Sequence, residues 1–392
     1  MNQIKPMLLT TLKSYDRSQF VKDVTAGIIV AIIALPLSIA LALASGVGPQ
    51  AGIFTAIVAG FVISAFGGSS VQIAGPTAAF ATIVAGIVAK DGLDGLVIST
   101  ILAGIFLILM GLCHFGSLIK FIPYTITTGF TSGIAVTIVI GQLKDFFGVT
   151  YPNGLKPIET MEKLNAFALG FSSFHVDALI VGGVSLAILI ISPYIFKRIP
   201  GSLIAVVIGI LMVKFLPLHV STIGNLYTIT NDLPSFHIPA VKFSMVKSAI
   251  PNAFTIAVLA AIESLLSCVV ADGMINGKHR SDTELVAQGL GNIASALFGG
   301  IPATGAIART AANIKNGGRT PVAGMVHSIT LVIVLVVLMP FAGMIPMPTI
   351  AAILFVVAYN MCQWRTFVHM LKTAPKSDII VLIVTFIFNG CL

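Results

Sequence analysis

Val24–Leu43 contains no charged side chain, and Ser328–Met339 is a second unbroken apolar block. These runs constrain the chain more than any other feature. In water they would need a wide polar shell, yet only 9% of residues are charged against 57% hydrophobic. A soluble globular domain carries about 25% charged residues. A soluble enzyme, a disordered scaffold and a coiled coil are therefore excluded. Continuous blocks also argue against a membrane barrel, whose strands alternate apolar and polar residues. The reading is an all-α polytopic membrane protein with spans of about 20 residues.

The apolar blocks predict spans at 24–44, 50–67, 76–89, 95–114, 122–143, 177–196, 200–216, 251–273, 285–298, 303–316, 321–342, 346–363 and 378–392. The third and tenth, 76–89 and 303–316, are too short to cross about 30 Å of hydrocarbon as helix. With a cytoplasmic N-terminus, Lys90, Lys144, Lys156, Lys163, Lys214, Lys242 and Lys247 fall outside. Every other Lys and Arg except Arg309 falls inside, a two-to-one bias that fits positive-inside topology. The net charge of +8 is explained the same way. No basic cluster with interleaved aromatics points to nucleic acid. The chain reads as a multi-pass protein of the cell (inner) membrane. The four cysteines, Cys113, Cys268, Cys362 and Cys391, are scattered, with neither disulfide nor metal spacing.

The short spans belong to an internal repeat. Phe66-Gly67-Gly68 recurs as Phe298-Gly299-Gly300, and Thr77-Ala78-Ala79 as Thr310-Ala311-Ala312. An odd number of spans separates the copies, so they run in opposite directions, the mark of an inverted repeat. In such folds paired broken helices begin near the bilayer midplane and turn free backbone N–H groups toward the substrate. Pro76 and Pro302 are expected at or just before the helix starts, where a missing N–H costs little. Gly75, Ala78, Gly305, Ala306 and Ala308 would let the two ends approach closely.

Of the acidic residues, all but Glu263 are expected in loops or near span ends. Glu263 lies mid-span, where a carboxylate costs about 2.5–3.5 kcal/mol. It must face a cavity, find a partner or be protonated, which makes it a candidate proton-coupling residue. Arg309 is the one base within a span, about two turns into the tenth. Arg309 and the helix ends together form a candidate anion site, with Glu263 a possible partner. A purely structural Arg–Glu pair fits the same residues, and both readings can hold. Ser38, Ser264 and Ser267 have no His and Asp partners, so no catalytic residue is assigned. The glycine pairs do not continue into a phosphate loop, and no ATP-driven domain follows. No metal or other cofactor is expected.

The stretch Gly299–Asn313 with Gly317–Gly324 resembles the SulP, or sulfate permease, family of anion transporters. Ala34–Ser38 with Pro49–Gly52, Ala74–Ala79, Thr128–Gly133 and Ala261–Leu266 are similar as well. The resemblance covers essentially the whole chain. It implies an inverted 7+7 segment repeat with spans 3 and 10 as broken half-helices with short extended lead-ins. The implied organisation is a cytoplasmic N-terminus at 1–23, a core domain at 24–120 and 251–345, a gate domain at 121–216 and 346–392, and an extracytoplasmic loop at 217–250. It implies an anion site of Pro36, Leu37 and Ser38 on span 1, Thr77, Ala78 and Ala79 on span 3, Glu263 on span 8, and Ala306, Ile307, Ala308 and Arg309 on span 10. The implied function is secondary active transport of sulfate, bicarbonate or a C4-dicarboxylate, coupled to a proton or sodium by an elevator motion, in a homodimer at full length. A passive channel or exchanger of the same fold and a nucleobase transporter are the alternatives, the latter disfavoured by the fixed charge of Arg309. Leu37 stands where many eukaryotic sulfate transporters carry Gln, so bacterial members are the better match. Members usually continue through a fourteenth span into a cytoplasmic STAS domain, so the chain reads as a truncated transport domain.

Overall fold

The computed structural model describes residues 4–117, 124–152, 155, 157–196, 200–239 and 243–391. Lys120, Lys156, Lys197, Arg198 and Lys242 of the charge pattern, and the first residues of the span expected from 122, lie outside the described residues. In chain order the helices are α1 (Leu8–Thr11), α2 (Arg17–Ala44), α3 (Pro49–Phe66), α4 (Ala81–Leu112), α5 (Tyr124–Phe147), α6 (Thr160–Gly170), α7 (Val176–Ile195), α8 (Gly201–Phe215), α9 (Ile223–Leu226), α10 (Phe243–Ile275), α11 (Ser281–Leu297), α12 (Ile307–Lys315), α13 (Val322–Ala342), α14 (Met347–Cys362), α15 (Trp364–Thr373) and α16 (Lys376–Cys391). Strand β1 (Ala74–Pro76) precedes α4, and β2 (Ala303–Gly305) precedes α12.

Among the described residues, eight helices are long and apolar enough to span a membrane. The chain is thus an α-helical membrane protein. The expected third and fourth spans are continuous through α4, broken only at Gly92, whose φ of 71° and ψ of −170° are not helical. The polar run Lys90–Asp94 had marked that break. Helix α10 begins at Phe243, before the expected residue 251, and Pro251 sits within it. Four helices, α1, α6, α9 and α15, lie outside the expected spans. Helix α6 is held by a capping box between Glu159 and Glu162.

The chain divides into two compact units, residues 1–120 with 230–340 and residues 121–229 with 341–392. In the first, α11 and α10 pack along α4, and α3 packs against α2 and α11. Its central feature is the ribbon of β1 and β2, paired antiparallel with Ala74 opposite Gly305, Gly75 opposite Thr304 and Pro76 opposite Ala303. All six residues are buried. The antiparallel pairing gives the two copies of the repeat opposite directions, as an inverted repeat requires. In the second unit, α5 packs against α14 and α16, and α7 against α14 and α8. The Ser185 and Thr349 hydroxyls meet there at 2.9 Å.

Pro76 falls just before its helix start, as expected, and Pro302 falls further upstream. Pro76 closes β1, and Pro302 comes just before β2. The helices start later, at Ala78 for a short 3₁₀ turn and at Ile307 for α12. Three-residue strands carry too little alternation to be read from sequence.

Candidate functional site

The ribbon is fixed by side chains on all sides. Asn292 of α11 accepts from the Ala303 N–H and donates to its carbonyl, both at 2.9 Å. It thereby acts as a further strand edge for β2. Thr304 donates to the Ala260 carbonyl of α10 at 3.0 Å. Thr310 accepts from the Ile73 N–H at 3.1 Å, and the Ala306 N–H donates to Ile73 O at 2.9 Å. Asn313 donates to Val71 O at 2.8 Å. The second copy of the repeat thus grips the lead-in of the first at Val71 and Ile73, and in return Thr55 of the first copy accepts from the Ile301 N–H, in the lead-in of the second, at 2.7 Å.

The two helix starts emerge from this ribbon. Thr77 caps the 3₁₀ turn by accepting from the Ala79 N–H at 3.5 Å, and Ala306 caps α12 without a side-chain bond. The first N–H groups of a helix have no acceptor within it. Ala78 and Ala79 are buried, Ala306 is half-buried, and Ile307 and Ala308 are exposed. None of these five has a polar side chain, so each can offer a ligand only its backbone.

Arg309 is the third residue of α12, close to its start rather than two turns in. Its side chain is 1% exposed. Nη2 donates to Ser38 Oγ at 3.2 Å and to the Pro76 carbonyl at 3.3 Å. Nε and Nη1 have no partner. A Cβ at Gly75 would collide with Nη1, so the guanidinium packs directly against the β1 backbone. Only glycine leaves that space. Ser38 is fully buried on α2, beside buried Pro36 and half-buried Leu37.

Glu263 is half-buried on α10, with the Thr77 hydroxyl close enough to interact with its carboxylate. It forms no ion pair with Arg309: the ion pairs among the described residues are His114–Asp282, His219–Asp177 and His279–Asp272. The structure thus joins Ser38, Pro76 and Arg309 in one cluster and Thr77 with Glu263 in another, both at the start of the first half-helix.

Sequence reasoning missed several buried polar groups. Asp23 and Glu284, expected at membrane edges, are 0% and 1% exposed. Asp23 accepts from Tyr15, Gln19 and Thr320 side chains and from the Arg319 N–H. His327 on α13 is fully buried, with no partner for either ring nitrogen. The signal for Glu284 was present: Glu284, Gln288 and Asn292 repeat every four residues, one polar stripe along α11. Beginning that span at 285 hid it. Among the described residues no group of three His, Cys, Asp or Glu is placed to hold a metal ion. None of the expected site residues lines the 260 Å³ cavity of the second unit, which Lys144, Asp145, His175 and His219 border.

Fold and site together define an inverted-repeat helical membrane protein with a buried cation at the meeting point of two broken helices. The chain belongs to the sulfate permease family, whose profile matches residues 20–385. It is 42% identical over 380 residues to YvdB of Bacillus subtilis (strain 168), covering 95% of this chain and 70% of that protein. It is 33% identical over 369 residues to the bicarbonate transporter BicA of Picosynechococcus sp., covering 91% of this chain and 64% of that one. The chain therefore spans about two thirds of the length of these relatives. The solved transmembrane domain of a cyanobacterial BicA matches with a TM-score of 0.86 and 29% identity, over 96% of both chains. SLC26A9 shares the fold, with a TM-score of 0.88 at 20% identity over 99% of this chain and 65% of that one.

Proposed function

We propose that this chain is the membrane part of a secondary active transporter of small oxyanions, with sulfate and bicarbonate the leading substrates and C4-dicarboxylates next. One observation carries the reading. Arg309 is buried to 1% exposure with two N–H-bearing nitrogens unpartnered, beside the starts of two opposed helices. Buried donors are almost always satisfied, and each one left open costs about 1–3 kcal/mol. An oxyanion supplies the missing acceptors and the opposite charge. The backbone N–H groups at Ala78, Ala79, Ile307 and Ala308 add the same polarity. Membership of the sulfate permease family and likeness to bicarbonate transporters support the choice of anions.

In this reading Ser38, Pro36, Leu37 and Thr77 line the site from spans 1 and 3. Glu263, unpaired with Arg309 and beside the Thr77 hydroxyl, serves as the proton-coupling group. The N-terminus is cytoplasmic, the membrane is the cell membrane, and the unit formed by residues 1–120 and 230–340 is the moving body of an elevator. Radiolabelled uptake into proteoliposomes tests this. Sulfate, bicarbonate and succinate are supplied in turn, with and without an inward proton gradient. Saturable uptake of at least one, accelerated by the gradient, is expected. Glu263→Gln is expected to keep binding and lose the gradient response. An unchanged response in that variant would remove the coupling role, and unsaturable conductance would indicate a channel.

A further inference from the structure

Beneath the ribbon, on the first unit's α11, lies a carboxylate that the transport reading does not use. Glu284 Oε2 accepts from the Gly68 N–H at 2.9 Å and the Ser69 N–H at 3.1 Å. Its Oε1 accepts from Gln72 Nε2 at 2.9 Å, Gln288 Nε2 at 2.9 Å and Ser264 Oγ at 3.4 Å. Five donors thus converge on one buried acid that has no cation in an ion pair among the described residues. Gln72 is the hub beside it. Its Nε2 also donates to Ser264 Oγ at 2.8 Å, and its Oε1 accepts from the Cys268 thiol. A Cβ at Gly305 would fall on the Gln72 amide, so that amide packs directly under β2.

The chain positions of these partners matter. Gly68, Ser69 and Gln72 form the lead-in to β1 and so to Thr77. Ser264 follows Glu263 on α10. Gly305 immediately precedes Ala306, the cap of α12. One carboxylate therefore fixes three elements that carry candidate site residues, without touching the site.

We infer that Glu284 is a positioning residue that, through Gln72 and Ser264, sets the spacing between Glu263, Thr77 and the start of α12 and so tunes anion affinity. The inference rests on the anion-site reading above. Glutamine at 284 is nearly isosteric but supplies one acceptor oxygen and one donor nitrogen. The oxygen is needed by Gly68 and Ser69, so the nitrogen meets the Gln72 donor, while Gln288 can turn its unpartnered Oε1 to it. The exchanged pair restores complementarity, because a glutamate at 72 accepts from the new amide, from Ser264 and from Cys268.

The test measures sulfate and bicarbonate affinity separately by ligand-dependent thermal shift on the purified full chain, with helicity and elution profile as fold controls. Glu284→Gln is expected to weaken affinity about tenfold, the effect of roughly one lost hydrogen bond. The double exchange Gln72→Glu with Glu284→Gln is expected to recover it to within about threefold. A merely structural carboxylate would change stability without this loss and rescue of affinity. Well-folded Glu284→Gln with wild-type affinity, or a double exchange no better than the single, overturns the inference. Should Glu284→Gln not fold, Ser264→Ala decides, since it removes the direct bond from α10 to Glu284 and leaves the Cys268–Gln72 bond in place: weakened affinity supports the inference and unchanged affinity overturns it. Arg309→Met separates the two readings. If it binds both anions as wild type does, the anion-site reading falls; if it does not bind while Glu284→Gln binds normally, only the present inference falls.

Discussion

Replacing Arg309 by methionine is expected to move stability and binding in opposite directions. The anion-free protein keeps Nε and Nη1 buried and unpaired, at about 1–3 kcal/mol each. Desolvating the charge itself costs several kcal/mol more. Against this stand two long bonds, from Nη2 to Ser38 and to the Pro76 carbonyl, worth about 1.5–3 kcal/mol each with a charged donor. Apolar replacement of a buried charge of similar volume is often neutral or stabilising by about 1–4 kcal/mol. Arg309→Met should therefore melt at or above the wild-type temperature without anion. With anion the sign reverses. Losing two charge-assisted bonds to the ligand removes about 3 kcal/mol or more, at least a hundredfold in Kd. At an anion concentration of about 100 times the wild-type Kd, wild type gains about 2.7 kcal/mol. The variant, then near its own Kd, gains only about 0.4 kcal/mol. Differential scanning fluorimetry with sulfate and bicarbonate titrations reads both effects. An anion-free variant destabilised by more than about 2 kcal/mol, or one retaining the full anion shift, would refute the reasoning.

Three further outcomes follow from other parts of the structure. Asn292→Ala strips both partners from the fully buried Ala303 backbone, so thermal or denaturant unfolding should show a loss of about 2–4 kcal/mol; a loss under 1 kcal/mol would mean that the ribbon does not depend on this edge. Gly92→Ala finds open space for its Cβ but a backbone conformation reserved for glycine, so it should cost about 1–3 kcal/mol, and an unchanged melting temperature would count against the break in α4. Burial, and then the nearby Asp23 carboxylate, hold the Tyr15 hydroxyl up at about 12. Because the folded value lies above the ordinary value of 10.0, its contribution is fully present below pH 10 and is lost as pH rises toward 12. Wild type should therefore lose more stability than Tyr15→Phe across that window in pH-dependent melting; parallel curves would refute the Tyr15–Asp23 link.

The span pattern was legible because apolar runs and their polar interruptions are local properties. Even the break in α4 could be read, from Lys90–Asp94. The half-helices were legible for a different reason: the repeated Phe-Gly-Gly and Thr-Ala-Ala segments flank spans too short to cross the bilayer. The ribbon was not, since Ala74–Pro76 and Ala303–Gly305 are three residues each and pair across more than half the chain. The backward extension of α10 to Phe243 hides behind Pro251 and the polar residues before it. Arg309 and Glu263 stood out as charges within apolar sequence, but their separation into different hydrogen-bond clusters depends on how α10 and α12 meet the ribbon. Such a distance is set by packing and leaves no trace in spacing along the chain.

Donor and acceptor counts distinguish the buried charges from one another. Asp23 and Glu284 each gather enough N–H and O–H donors to satisfy a carboxylate with no cation, and both hold loops to helices. Arg309 is the reverse case, with donors left over after its protein partners are counted. A saturated buried charge stiffens the protein, because any ligand would have to displace an existing bond. An undersaturated one gains most from an outside partner, since the cost of its burial has already been met by folding. By that criterion Arg309 is where an anion would gain affinity in the proposed function. Glu263 interacts with Thr77 and forms no ion pair with Arg309, so in the proposed function a proton would come and go at the carboxylate without first breaking a pair with the cation proposed to hold the substrate. Substrate charge and proton would then be coupled through the shared start of the first half-helix. Thr77→Val, which removes the hydroxyl, should therefore weaken the gradient response of uptake more than it weakens anion affinity.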